Sequence, residues 1–172
     1  MLTPRFLPDR LHPRPAAQPA VPRPVRLTPS PSDPRLYVVK GIGTLRVTGW
    51  TRREATAEAG GRSWQIGRHG IWSPVIQAAD VAGEVVGEFS GRRLHNGAAL
   101  RWSNRELGLR IDRLRQDRYV LVDDDRKLAT IDGEGSNKRP LNVSIDDIVD
   151  IDPGVVLFAI YIVRTLARKH TS

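Results

Sequence analysis

The sequence predicts a mainly β fold: a closed antiparallel barrel of about twelve strands around a buried hydrophobic C-terminal helix, preceded by a disordered proline-rich arm. Three observations carry that expectation. Ten of the 13 prolines fall in residues 1–34. From Leu36 onward, short runs of β-branched and aromatic residues alternate with turn residues. Near the C-terminus, nine consecutive apolar residues, Val155 to Val163, stand between Asp152-Pro153-Gly154 and Arg164. A helix that is apolar on every face has to be hidden from water, either in lipid or inside protein. Nine residues rise about 14 Å, against roughly 30 Å for a bilayer core. The segment is too short to span a membrane and is assigned to the protein's own interior.

Residues 1–34 hold five Arg and two Asp, with Pro-Arg and Pro-x-Pro steps recurring through them. Their scattered apolar side chains do not offset the entropy of ordering a chain. The segment therefore reads as a disordered or polyproline-like arm, and the folded domain is assigned to residues 35–172. Within the arm, Pro19-Ala20-Val21-Pro22 followed by Arg23 has the form of a segment that docks in an aromatic-lined groove, although proline-rich tails contain such steps by chance.

Strands are expected at Leu36 to Lys40, Thr44 to Trp50, Arg53 to Ala59, Ser63 to Ile66, Ile71 to Ala79 and Glu84 to Phe89. Further strands are expected near Arg93 and at Ala99 to Ser103, Glu106 to Ile111, Arg118 to Val122, Lys127 to Ile131 and Pro140 to Ser144. Gly41-Ile42-Gly43, Gly60-Gly61, Asn96-Gly97, Asp123-Asp124-Asp125 and Gly133-Glu134-Gly135 mark turns between them. Barrels of eight strands have room only for their own side chains, whereas cans of about eleven can hold a central helix. The strand count belongs to the larger class.

One internal echo runs through this pattern. Val75 to Asp80 turns through Gly83 into Glu84 to Phe89, and Arg118 to Asp123 turns into Lys127 to Ile131. Both are strand, Asp-led turn, strand. They are either generic hairpins or equivalent elements of two related half-barrels.

The helix, placed at about residues 153–168, is announced at both ends. Asp152 is a good N-cap and Pro153 suits the first helical position. Arg164, Arg168, Lys169 and His170 put cations where the C-terminal dipole favours them.

Composition narrows the chemistry. There is no cysteine, which excludes disulfide frameworks, thiolate metal sites and cysteine nucleophiles. No apolar run of signal-peptide length follows Arg5 and Arg10, so the expected location is cytoplasmic, with a peripheral position at the inner membrane face. Asn142-Val143-Ser144 matches a glycosylation acceptor but has no role without a secretory route. The net charge of +8 comes almost entirely from arginine, 23 Arg against 4 Lys. Such a surface favours anionic partners, and it is equally the ordinary surface of an arginine-rich chain.

The Gly-punctuated strand pairs at Val75 to Phe89 and Arg118 to Ile131, followed by Asp152-Pro153 and the apolar run Val155 to Val163, resemble the tubby C-terminal-like superfamily. The likeness lies with the small bacterial relatives of its LURP-one and phospholipid scramblase branch and covers about residues 37–170. It implies a twelve-stranded barrel threaded by Val155 to Val163, in a superfamily where some members bind phosphoinositide head groups and some are associated with lipid movement. The basic phosphoinositide-binding motif of tubby proteins has no residue-for-residue counterpart here. Asp146, Asp147, Asp150 and Asp152 lie where the scramblase branch has its acidic calcium-binding segment, but at different spacing.

Residue by residue, the candidate chemistry is sparse. The acidic cluster Asp146 to Asp152 offers oxygens to a hard cation, yet lacks an EF-hand pattern and equally serves the positive end of the helix. Asp123-Asp124-Asp125 is a turn of the kind Asp stabilises. Lys138-Arg139, after the small polar loop Gly133 to Asn137, is paired with Arg92-Arg93 as the anion-contacting candidate, without phosphate-loop spacing. Trp50, Trp64, Trp72 and Trp102 lie in or beside strands with Arg nearby, suited either to base stacking or to the core. His12, His69, His95 and His170 are isolated in sequence, no metal site or cofactor is expected, and no nucleophile elbow is present. The expected function is a monomeric, non-enzymatic barrel module that meets anionic lipid head groups or a small anionic ligand. A nucleic-acid-binding protein is the alternative.

Overall fold

The structure, a computed structural model, describes residues 25–48, 54–70, 75–91, 98–112, 115–132, 141–146 and 150–167. Twelve strands close into one antiparallel barrel in which each strand pairs with its neighbours in sequence and the first meets the last. They are β1 (Val25–Pro29), β2 (Leu36–Val39), β3 (Gly43–Thr48), β4 (Glu54–Ala59), β5 (Arg62–His69) and β6 (Val75–Ala79). Then follow β7 (Val85–Ser90), β8 (Ala98–Trp102), β9 (Arg105–Asp112), β10 (Arg115–Asp123), β11 (Arg126–Asp132) and β12 (Asn142–Ile145). A single helix, α1 (Pro153–Ala167), fills the interior.

Alternation along the strands sorts side chains between core and solvent. In β4, Ala55, Ala57 and Ala59 point inward while Glu54 and Glu58 are exposed. In β5, Trp64 and Ile66 point inward while Arg62 and Gln65 face out. The three alanines leave room on that wall, and the helix runs closest to β3 and β4. All nine residues from Val155 to Val163 are 2 % exposed or less. Complete burial of such side chains contributes about 1.5–3 kcal/mol each, so the helix is the centre of the core and not an appendage to it.

The strand closing the ring lies inside the proline-rich segment. Val25–Pro29, assigned from sequence to the arm, pairs with β12 through Val25↔Val143 and with β2 through Leu27↔Val39 and Pro29↔Tyr37. Residues 25–34 thus belong to the folded domain, and residues 1–24 lie outside the described residues. The strand expected near Arg93 also falls outside them, so the twelve strands are reached with β1 in its place. Prolines at positions 24 and 29 hide the period-two pattern of Val25 and Leu27, although Pro29 sits at the last position of its strand, where a missing N–H is tolerated.

Turn chemistry matches the expected breaks. The loop joining β4 and β5 is Gly60-Gly61, with φ of 55° and 75°, a left-handed pair suited to a two-residue hairpin. Asp80 organises the β6–β7 turn: its Oδ1 accepts from the backbone N–H groups of Ala82 and Glu84 at 2.9 Å each. The β10–β11 hairpin likewise turns at Asp124, with φ of 51°. Both hairpins carry a register shift just before the turn, between Ala78 and Ala79 and between Leu121 and Val122. Equivalent elements of two half-barrels would lie six strands apart, whereas these lie four apart in the ring. They are matching hairpins, not halves.

Because neighbouring strands are antiparallel, their connections alternate between the two ends of the barrel. The β2–β3, β4–β5, β6–β7, β8–β9 and β10–β11 turns share one end with the start of α1; this is called the cap end. The remaining strand pairs meet at the tail end, where α1 finishes. No helix among the described residues is long and apolar enough to cross a membrane. The strands carry their apolar face inward and charged residues such as Arg46, Glu58, Arg101 and Arg110 outward, which inverts the pattern of a lipid-facing barrel.

Candidate functional sites at the two ends of the barrel

At the cap end, the helix start is locked by one carboxylate. Asp152 Oδ1 accepts from the Gly154 N–H at 2.8 Å, the capping bond expected from sequence. The same oxygen accepts from Arg62 at 2.8 Å, and Oδ2 accepts from the Trp102 indole N–H at 3.2 Å. Arg62 also lies over the Trp64 ring, 5.0 Å from its centroid. Trp64 meets Trp102 edge to face at 5.7 Å, and Trp102 packs on Phe158 at 5.6 Å. Gly154 fits only because it has no side chain: a Cβ there would stand 2.5 Å from Trp102 Cζ2 and 2.8 Å from Trp64 Cζ2. The network joins β4–β5, β8 and α1, and its function is structural.

Beside it at the cap end is a cleft of about 430 Å³, lined by Val85, Val86, Gly87, Arg101, Ser103, Asn104, Arg105 and Glu106. Ser103 adopts φ of 52° in the β8–β9 turn. The two arginines are already engaged, Arg101 with Glu88 at 3.4 Å and Arg105 with Asp123. Val85, which lines this cleft, is 48 % exposed, and Val81 in the β6–β7 turn is 88 % exposed. The strand expected to run to Ser103 stops at Trp102, and the Ser103-Asn104 turn forms part of a cleft that the sequence alone does not announce, with the turn residue Asn104 as its one local signal.

The tail end is different in charge and in chemistry. Arg164, in the last turn of α1, donates to the Tyr37 hydroxyl at 2.5 Å while its guanidinium lies 4.1 Å from the Tyr37 ring centroid. Tyr37 thereby fixes the end of the helix against β2. Arg35 and His69 are exposed at this end.

The four anion-contacting candidates, Arg92, Arg93, Lys138 and Arg139, lie outside the described residues. Their flanking strands are described. β7 ends at Ser90 and β8 starts at Ala98; β11 ends at Asp132 and β12 starts at Asn142. Both pairs of strands meet at the tail end.

Of the other candidates, Trp64 and Trp102 are core residues, 4 % and 5 % exposed, so neither offers a face to a nucleic-acid base. Trp50, Trp72, His12, His95, His170 and Asp147 lie outside the described residues, as does the Pro19 to Arg23 step. Asp146 is half-buried and Asp150 exposed; among the described residues no group of His, Asp or Glu is arranged to hold a metal ion. His69 lies at the tail end, near Glu54 across Gly67, and so away from the cleft. No family model matches this chain, and neither a curated protein nor a solved structure matches it.

Proposed function

We propose that this chain is a non-enzymatic binding module that turns the tail end of its barrel toward a phosphate-bearing anion, either a phospholipid surface or a small anionic ligand. The carrying observation is the way strand order sorts charge. The described residues hold 14 Lys and Arg against 16 Asp and Glu, whereas the whole chain holds 27 against 19. The excess positive charge therefore resides in the segments between and beyond the described strands. Arg52-Arg53, Arg92-Arg93, Arg113 and Lys138-Arg139 each follow a strand that finishes at the tail end, and Arg168-Lys169 follow α1 to the same end. Among the described residues, the cap end holds the carboxylates of Asp80, Glu84, Asp123, Asp124, Asp125, Asp150 and Asp152, which outnumber its cations Lys40, Arg62, Arg105, Arg126 and Lys127. A charge separation along the barrel axis orients the molecule toward an anionic surface before contact is made.

Twelve strands around a hydrophobic helix are also what the resemblance to the tubby C-terminal-like superfamily implies, and we extend that resemblance as part of this proposal. For the nucleic-acid alternative, the net charge counts in its favour, and the two described tryptophans, Trp64 and Trp102, count against it because they are buried.

Co-sedimentation tests the reading. The full chain should pellet with phosphatidylserine-containing vesicles and stay in solution with pure phosphatidylcholine. Changing Arg92, Arg93, Lys138 and Arg139 together to Gln should weaken binding by up to roughly three orders of magnitude, at about 1 kcal/mol per cation near an anionic surface. Displacement by soluble inositol phosphates would assign the site to the head group alone. Equal recovery on both vesicle types removes the lipid version, and retardation of RNA or DNA at the same salt favours the alternative.

A further inference from the structure

We infer that residues 1–24 of this chain dock in cis on the cap end, in the cleft bordered by the β6–β7, β8–β9 and β10–β11 turns. This goes beyond the anion-binding reading, which concerns the opposite end.

Three observations converge on that occupant. First, β1 starts at the cap end: its register, Leu27↔Val39 and Pro29↔Tyr37, runs from the cap end toward the tail end. The 24 residues that precede Val25 therefore depart from the cap end. Second, the charges complement one another. Residues 1–24 carry Arg5, Arg10, Arg14 and Arg23 against Asp9. The turns around the cleft present Asp80, Glu84, Glu106, Asp124 and Asp125 against Arg126 and Lys127, while the two arginines lining it are paired with Glu88 and Asp123. Third, one wall of the cleft is apolar. Val85 and Val86 line it, with Val85 48 % exposed, and Phe6-Leu7-Pro8 and Leu11 supply apolar side chains to cover it.

The reach suffices. β7 and β8 stand across the ring from β1. A barrel of this strand number is about 25 Å across its backbone, for strands about 4.8 Å apart tilted by about 40°. Arg10 precedes Val25 by 15 residues, and a polyproline-like chain covers about 45 Å over that distance at about 3.1 Å per residue. Prolines limit the freedom of the unbound arm and so lower the entropy lost on docking.

The absence of native cysteine makes a clean test possible. A nitroxide attached to Thr3→Cys in the full chain should strip intensity from the amide signals of Val81, Glu84, Val85 and Glu106 and leave Arg35, His69 and Arg164 sharp. Intensity should return in about 0.5 M salt, where the Debye length falls to roughly 4 Å. It should also return in the spin-labelled Glu84→Gln, Asp124→Asn, Asp125→Asn variant, whose substitutions are all at exposed turn positions. Uniform broadening at both ends, or none at the cleft, overturns the proposal. So does broadening that appears in an isotope-labelled, spin-free chain mixed with a spin-labelled one, because that result assigns the arm to a second copy.

Discussion

Ending the chain at Ile151 is expected to abolish the folded state. The remaining strands would have to close around a void that Val155 to Val163 now fill, and all nine of those residues are 2 % exposed or less. At about 1.5–3 kcal/mol for each buried side chain, the loss exceeds the roughly 5–15 kcal/mol by which ordinary domains are stable. The facing walls, including Leu45, Leu100, Leu109, Leu121 and Ile131, would be left without partners. The truncated chain should show no cooperative thermal transition and should be cut throughout by a low dose of protease. A cooperative transition retained after truncation would mean that the strands make a core of their own.

The second large effect separates two deletions that differ by ten residues. Removing residues 1–24 keeps every strand pairing of the barrel, β1 with β12 and β2 included, so thermal stability should fall far less than when residues 1–34 are removed. Removing residues 1–34 should open the barrel between β2 and β12. Leu27, 2 % exposed, would leave a cavity costing about 2–5 kcal/mol, and the Leu27 N–H to Leu141 carbonyl bond of 2.9 Å would be lost with the β1 ladders. Two unpaired edges would then face solvent, the condition that promotes strand addition between molecules. The shorter deletion should elute on size exclusion in the same state as the full chain, and the longer one should melt at a lower temperature and associate. Equal melting of the two would show that β1 adds nothing to closure.

The same ten residues show where sequence reading stops. Runs of β-branched and aromatic residues made eleven of the barrel's strands legible from Leu36 onward, several with inward apolar residues at period two, as in β4 and β6, and several bounded by a turn signal. The helix was legible to its cap: Asp152 does accept from the Gly154 N–H. β1 was not, because proline composition reports on backbone freedom and not on a pairing partner more than one hundred residues away, and β12 supplies that partner through Val143. Asp152 held a second surprise for similar reasons. Its bonds to Arg62 and Trp102 cross 90 and 50 residues of chain, so no local spacing announces them. The cleft was hidden in the same way: Val85, Arg101 and Asn104 come together only once β7, β8 and β9 are in register. What could be read of the tail end was its charge, and strand order then gathered into one place the flanks of two basic pairs that lie far apart in sequence.

Central to all of this is a helix enclosed by the strands of its own chain. Native-state hydrogen exchange of the full chain measures that enclosure directly. Amides of Leu157 to Val163 should exchange only through global unfolding, with the same opening free energy as the slowest amides of β4, β9 and β10, and that value should not change with protein concentration. Exchange of those helical amides ahead of the strands, or protection that fades on dilution, would contradict the account, since the helix would then be sheltered by something other than its own barrel.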